Sequence, residues 1–258
     1  IIINDISFSY DLVDIIKAFS CTFESGNFYS LLGPNGSGKT TLLDMISGFF
    51  KPREGCITMD DRNISTFEKN DLARKIALVS QNYYINFPYT VNEVVMMGRH
   101  PHIPRFSKPL PGDFEMVDKV MDKTGIRHLA HRKITELSGG EKQRSIFARA
   151  LCQDTPILLL DEAFSNMDIS HTVQMLSFLK EMVKKKNLLV ICVFHDLNMA
   201  STWSDSMAFL KKGKVETFGN TSTVMTEDNI KTVFKIETKV EFNEYVQAKQ
   251  AYYKVSKK

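Results

Sequence analysis

Three short stretches of this 258-residue chain carry residue types that can handle phosphate and a divalent metal. The first, Gly33-Pro34-Asn35-Gly36-Ser37-Gly38-Lys39-Thr40, has the spacing G-x-x-x-x-G-K-[ST]. Phosphate oxygens need backbone N–H groups that approach closely, hence the glycines, and they gain from the positive end of a helix beginning at Lys39. In such a loop Lys39 reaches the β- and γ-phosphates and Thr40 ligates Mg²⁺. The second stretch, Ile157-Leu158-Leu159-Leu160-Asp161-Glu162, reads as a buried strand ending in two carboxylates, where ligands collect in parallel sheets. Asp161 is expected to hold Mg²⁺, directly or through water, and Glu162, on the other side, to polarise an attacking water. The third, Leu137-Ser138-Gly139-Gly140-Glu141-Lys142-Gln143-Arg144, opens another helix on a small-residue turn and makes a second anion-binding N-terminus. One nucleotide already has its cradle at Gly33–Thr40. A second cradle in the same chain suggests a nucleotide held between two copies.

These groups need a scaffold that presents strand ends and helix starts together. Asn27–Leu32 reads as a strand before the first loop, and Lys39–Ser47 as the helix after it, which Gly48 can cap. Further strands are expected at Gly55–Met59, Ile76–Val79, Ile157–Leu160 and Leu188–Phe194, and near Met207–Leu210 and Val215–Phe218, with a helix across His171–Lys185. Strands alternating with helices imply a mainly parallel sheet. From about Pro88 to Gly125 strand signals vanish. Thr90-Val91-Asn92-Glu93 is a capping box that starts a helix through Met97. A Pro-rich link follows, then a helix from Asp113 to Lys123. The tail offers a helix at Glu227–Phe234 and strands at Lys239–Phe242 and Tyr252–Val255.

Composition narrows the partners. The chain is 43% hydrophobic and 24% charged with a net charge of +3, too mild a balance to indicate nucleic acid. Its longest apolar runs, Ile157–Leu160 and Leu188–Phe194, fall far short of the roughly 18 residues a membrane span needs, so a membrane role must come through a partner. Ile1 stands where Met would, so preceding residues are expected. Ile3, Ile6 and Phe8 alternate like a strand, and no signal peptide is expected. Cys21, Cys56, Cys152 and Cys192 have neither disulfide nor metal spacing, which fits a reducing compartment. His100, His102, His128, His131 and His171 have no ligand-like spacing and read as solvated.

Leu137–Gln143 resembles the signature of ABC (ATP-binding cassette) ATPases, and the other elements follow that family's order up to about Phe218. The resemblance implies an α/β fold: a P-loop ATPase core with a mainly parallel sheet, an N-terminal antiparallel β portion and an inserted helical lobe. It would be one domain over 1–258, with core at 1–87 and 141–220, lobe at 88–140, and a C-terminal extension at 221–258. It further implies that Gln81 is the glutamine that touches Mg²⁺ and the attacking water. On the same ground His195 contacts the γ-phosphate, Asp168 is the aspartate of the loop after the catalytic glutamate, and Tyr10 stacks on adenine. The full phosphate loop, with Thr41 after Thr40, would bind nucleotide, and so would Ser138, Gly139 and Gly140. Ala163-Phe164 replaces the family's usual Pro-Thr, and Asn166-Met167 its Ala-Leu, without removing a catalytic group.

Thr90-Val91-Asn92-Glu93-Val94-Val95-Met96-Met97-Gly98-Arg99-His100-Pro101-His102 is similar to a run in ATPases of iron-chelate (siderophore or haem) and cobalamin importers; molybdate-type relatives share part of it. What this implies is an ATP- and Mg²⁺-dependent subunit that pairs head to tail with a second copy. It would sit at the cytoplasmic face of the membrane on transmembrane permease subunits, with an external substrate-binding protein acting indirectly. The alternative is a soluble ABC ATPase working on a macromolecular assembly, which would not need the Gly98–His102 run. An exporter's detached ATPase is a third reading.

Overall fold

The structure, a computed structural model, describes residues 1–81 and 85–254. It divides into two compact units, one combining residues 1–67 with 189–258 and the other spanning 68–188.

The first unit opens with β1 (Ile2–Tyr10) and β2 (Val13–Thr22), an antiparallel pair in which Tyr10 lies opposite Val13. β3 (Phe28–Leu32) is buried at all five positions, as a short apolar run predicts for a strand covered on both faces. Each large apolar side chain buried there contributes about 1.5–3 kcal/mol. The glycine-rich loop then leads into α1 (Lys39–Ile46), and Gly48 follows with φ +77°, a left-handed conformation that glycine adopts without strain. β4 (Glu54–Met59) pairs antiparallel with β1, and the two-residue β5 (Arg62–Asn63) with β4, so this sheet runs β2-β1-β4-β5. That is the expected antiparallel portion.

The second unit contains α2 (Lys69–Ala73), β6 (Ile76–Val79), α3 (Val91–Met96), α4 (Pro111–Lys123), α5 (Gly139–Cys152), β7 (Ile157–Asp161) and α6 (Ile169–Lys186). β6 and β7 are parallel, with Ile76 opposite Ile157 and Val79 opposite Leu160. The expected capping box starts α3: Glu93 N–H donates to Thr90 Oγ1 at 3.3 Å, and Thr90 N–H donates to Glu93 Oε2 at 2.7 Å. α3 ends at Met96, and the chain continues as a tighter 3₁₀ segment over Met97–His102, so Pro101 lies inside a turn rather than a link. α4 starts at Pro111, two residues before the expected Asp113. Proline suits the first helical position, and Asp113 Oδ2 accepts the Leu110 N–H at 2.9 Å.

The chain returns to the first unit with β8 (Leu189–Val193), α7 (Leu197–Trp203), β9 (Ser206–Lys211) and β10 (Lys214–Asn220). Then come α8 (Thr221–Val224), α9 (Glu227–Phe234), β11 (Thr238–Asn243) and β12 (Ala248–Tyr253). β3 is parallel to both β8 and β9, and β10 closes antiparallel on β9, so the expected mainly parallel sheet is present. α9 has the bounds the sequence suggests. β11 and β12 form a hairpin; the expected Tyr252–Val255 strand begins earlier, at Ala248, and Val255 lies outside the described residues. Sequence periodicity left α7 unmarked, although Asp196 caps it by accepting the Met199 N–H at 2.7 Å.

Candidate functional site

In the first unit, β3 delivers the chain to Gly33 and α1 takes it away at Lys39. A Cβ on Gly33 would lie 2.2 Å from the Leu210 carbonyl oxygen, so any other residue would push the loop off β9. Gly36 has φ +75° and nothing within 4 Å of where its Cβ would be; there the left-handed backbone, not space, calls for glycine. Lys39 is 6% exposed and folds back over the loop, Nζ donating to Gly33 O at 2.9 Å and Pro34 O at 3.1 Å. α1 has no side-chain cap and no acidic residue in its first turn, so no carboxylate offsets the positive end of its dipole there. Ser37 Oγ is buried and meets no hydrogen-bond partner among the described residues. A glycine cradle, an uncapped helix start, a buried lysine and an orphaned hydroxyl are what a phosphate group needs. Thr40 is exposed at the helix start and Thr41 buried beneath it.

His195 follows β8 and is exposed. Leu31 pairs with Val193, and Phe194 N–H donates to Leu31 O at 3.1 Å; this register carries His195 to the same end of the parallel strands as Gly33. Tyr10, at the tip of the β1–β2 hairpin, is 42% exposed. Its ring meets Phe8 edge-on at 5.0 Å and Phe50 at 5.5 Å, which fixes its plane and leaves surface for a flat ligand. Phe50 is a member of this trio that sequence reasoning missed, since it lies after α1, far from Tyr10 in sequence.

In the second unit, β7 is buried throughout and ends at Asp161, itself 1% exposed. Glu162 follows with φ +52°, a left-handed conformation costly for a residue with a side chain, of the kind that gathers at functional sites. The β6–β7 register brings Gln81 to the same strand ends, where its Nε2 donates to Glu162 Oε2 at 2.6 Å. Gln81 and Glu162 are thus brought together across a sequence separation of 81 residues. The α5 N-terminus is exposed at Ser138 and Gly139. Ser138 is engaged in its own capping box: Oγ accepts the Glu141 N–H at 3.4 Å and donates to Glu141 Oε2 at 2.8 Å. The Ser138 N–H, donating to Glu141 Oε2 at 2.8 Å, and then the Ser138 hydroxyl hold the Glu141 carboxyl below the usual range. A Cβ on Gly140 would sit 3.0 Å from Asn166 O, so this turn packs close to the loop after Glu162.

Asp168 caps α6, accepting the His171 N–H at 2.9 Å and the Ser170 hydroxyl at 2.9 Å. The His171 ring adds a bond from Nδ1 to Oδ2 at 2.8 Å. The His171 N–H first, then its ring and Ser170, keep the Asp168 carboxyl far below the ordinary range. His171, read as solvated from its spacing, is therefore the partner of a candidate site residue. His102 is likewise engaged, Nε2 lying 2.8 Å from Gln153 O. An i,i+3 carboxylate–histidine pair at a helix start was the signal available for the first; the second had none.

A family model described as ABC transporter matches residues 16–165. The ferric enterobactin transport ATP-binding protein FepC of Escherichia coli is 34% identical over 231 residues, 90% of this chain and 85% of that protein. The cobalamin import ATP-binding protein BtuD of Halobacterium salinarum is 34% identical over 220 residues, 85% of this chain but only 55% of that protein's length. Among solved structures, an inward-facing metal-chelate type ABC transporter matches with TM-score 0.82 at 27% identity, covering 98% of this chain and 95% of that one. The cassette MJ0796 in its dimeric, post-hydrolysis state bound to ADP and Pi matches with TM-score 0.76 at 26% identity, covering 85% and 98%.

Proposed function

This chain belongs to the ABC transporter family, and we propose that it is the ATP-hydrolysing subunit of an importer for an iron chelate, haem or cobalamin. The observation that carries the ATPase reading is the Gln81–Glu162 bond at a strand end, in a chain that also holds two glycine-rich helix N-termini. Water attacks the γ-phosphorus in line as its bond to the β–γ bridging oxygen breaks, and Glu162 takes the proton of that water. Gln81 holds the Glu162 carboxylate in a fixed orientation through its amide N–H. Lys39 and the loop N–H groups bind the β- and γ-phosphates, Tyr10 stacks on adenine, and His195 steadies the γ-phosphate.

Thr40, Gln81 and Asp161 are the residues proposed to hold Mg²⁺. Magnesium typically takes one or two carboxylates and completes its shell with water and substrate phosphate. One buried carboxylate with a hydroxyl and an amide oxygen fits that demand; no cluster of three His, Cys, Asp or Glu is present among the described residues, and none is required. Held there, the cation would neutralise charge developing on the nucleotide's phosphates.

A second copy is proposed to bring its exposed Ser138–Gly140 turn and Asp168 to this chain's nucleotide, head to tail. The dimeric state of a structural relative supports that reading. No helix among the described residues is long and apolar enough to cross a membrane; the importer names of its relatives support the proposal that the chain works at the cytoplasmic face on permease subunits. The residues 88–140 are the proposed docking lobe, where Phe87, Phe106 and Leu110 expose 67%, 95% and 67% of their surface nearby or within it. An external binding protein would deliver the cargo. The test is hydrolysis of Mg·ATP by purified protein and by Glu162→Gln. The variant should bind ATP yet turn over on the order of 10²-fold slower, the scale of a lost general base; near-normal turnover sinks the assignment. Pull-down of ATP-loaded Glu162→Gln from solubilised host membranes should recover a polytopic permease, and recovery of soluble assembly factors alone would favour the assembly-ATPase reading instead.

A further inference from the structure

The Gly98–His102 segment is spent on one end of α5. A Cβ on Gly98 would lie 2.1 Å from the Arg149 carbonyl oxygen, so only glycine lets this segment touch the helix backbone. Arg99 Nε donates to Asp113 Oδ1 at 2.9 Å and its Nη1 to Cys152 O at 2.8 Å, with the Arg99 and Asp113 side chains 12% and 10% exposed. His102 Nε2 donates to Gln153 O at 2.8 Å. The carbonyls of a last helical turn have no intrahelical donor, and a cation there also meets the negative end of the dipole. The Gln153 side chain turns the other way: Nε2 donates to Ala73 O at 2.5 Å and to Ile76 O at 2.8 Å. Ile76 is the first residue of β6, whose far end leads within two residues to Gln81. Arg74 Nε also donates to Pro101 O at 2.7 Å, tying α2's end to the same segment.

The C-terminus of α5 is therefore a junction. One route from it runs along 14 helical residues, roughly 21 Å, to Ser138–Gly140. The other runs through Gln153 and β6 to the glutamine that orients Glu162. We infer that Arg99, His102 and Gln153 are positioning residues for hydrolysis: they bind the lobe segment, the signature helix and β6 into one body, so that Ser138–Gly140 and Gln81 keep a fixed relation. The inference rests on the ATPase reading above and deepens it.

Arg99→Lys keeps a charge beside Asp113 but loses the planar fork that serves Asp113 and the Cys152 carbonyl together. Gln153→Leu keeps bulk and removes both bonds to α2 and β6. In steady-state Mg·ATP hydrolysis by purified protein, each is expected to lower kcat about 3–30-fold, the span typical of coupling residues, while ATP affinity at the Gly33–Thr40 loop stays at the wild-type value. The double variant should lose less than the product of the two single effects, because both break one unit. His102→Asn, which retains a donor for Gln153 O, should keep its rate where His102→Phe does not, and this pair decides the matter if Arg99→Lys does not fold. Folded variants that hydrolyse ATP at the wild-type rate, or whose rate falls only in step with the folded fraction, would overturn the inference. Absence of hydrolysis by the wild-type protein would overturn the ATPase reading itself.

Discussion

Replacing Gly98 by Ala tests the structure at its tightest backbone approach. The added Cβ would stand 2.1 Å from the Arg149 carbonyl oxygen and 3.0 Å from Cys152 Cβ, and the first of these is backbone that cannot swing aside. Restoring ordinary contact requires the 3₁₀ segment to back off α5 by about 1 Å, and overpacking of that kind costs about 1–3 kcal/mol. The same shift stretches the Arg99–Cys152 and His102–Gln153 bonds, both 2.8 Å. Each contributes about 0.5–1.5 kcal/mol net, more for the charged donor. The sum is about 2–6 kcal/mol, which at roughly 2–4 °C per kcal/mol for a chain of this size lowers Tm by about 4–24 °C. Gly112→Ala is the matched control: Gly112 lies in the first turn of α4 with nothing within 4 Å of its missing Cβ. There alanine should stabilise by about 0.5–1 kcal/mol through backbone entropy. Circular dichroism melts of both variants, backed by urea titration, provide the measurement. Gly98→Ala melting within a degree or two of wild type would refute the close approach and the energetics built on it.

Lys39→Ala removes the ammonium that spans the loop carbonyls, and calorimetry should show ATP binding weakened beyond tenfold; retained tight binding would count heavily against the phosphate-loop assignment. Tyr10→Ala should weaken ATP binding by about 1–3 kcal/mol, the worth of one aromatic stack, while Tyr10→Phe should bind as wild type does; equal affinity in all three proteins would exclude Tyr10 from the adenine site. The Asp113 carboxyl is held below its usual range, first by the Leu110 N–H and then by Arg99. A lowered folded pKa means its contribution is complete above the unfolded value of about 3.9 and disappears as pH falls through the folded one. The stability gap between wild type and Asp113→Asn, read by denaturant titration, should hold steady from pH 7 to about 4.5 and narrow below about 4; a gap that widens in acid would reverse the assigned sign.

Sequence by itself determined the features whose partners lie within one turn. Thr90 bonds with Glu93 across three residues, so residue type and spacing alone forecast that capping box and the start of α3, and the small-residue turn at Ser138 marked the start of α5, where Ser138 and Glu141 close a box of the same kind. Lys39 reaches back only five or six residues to its carbonyls, and Gly36 answers to local backbone geometry, so the shape of the glycine-rich turn before α1 was legible too. The apolar runs of β7 and β8 marked strands of the kind covered on both faces, and every position of each is buried. What tertiary structure decided was long-range contact. Gln81 meets Glu162 because β6 lies beside β7 in one parallel register, a pairing that no local pattern encodes. Gly98 is glycine for the sake of the Arg149 carbonyl, and Arg99 is buried against Asp113 and the Cys152 carbonyl, contacts between residues 14 and 53 positions apart that no local pattern marks. Phe50 joins Tyr10 only through the packing of the β1–β2 hairpin. Local hydrogen bonds are set by backbone sterics that each residue carries with it; register and helix packing depend on which surfaces the whole chain finds to bury, and those exist only once it has folded.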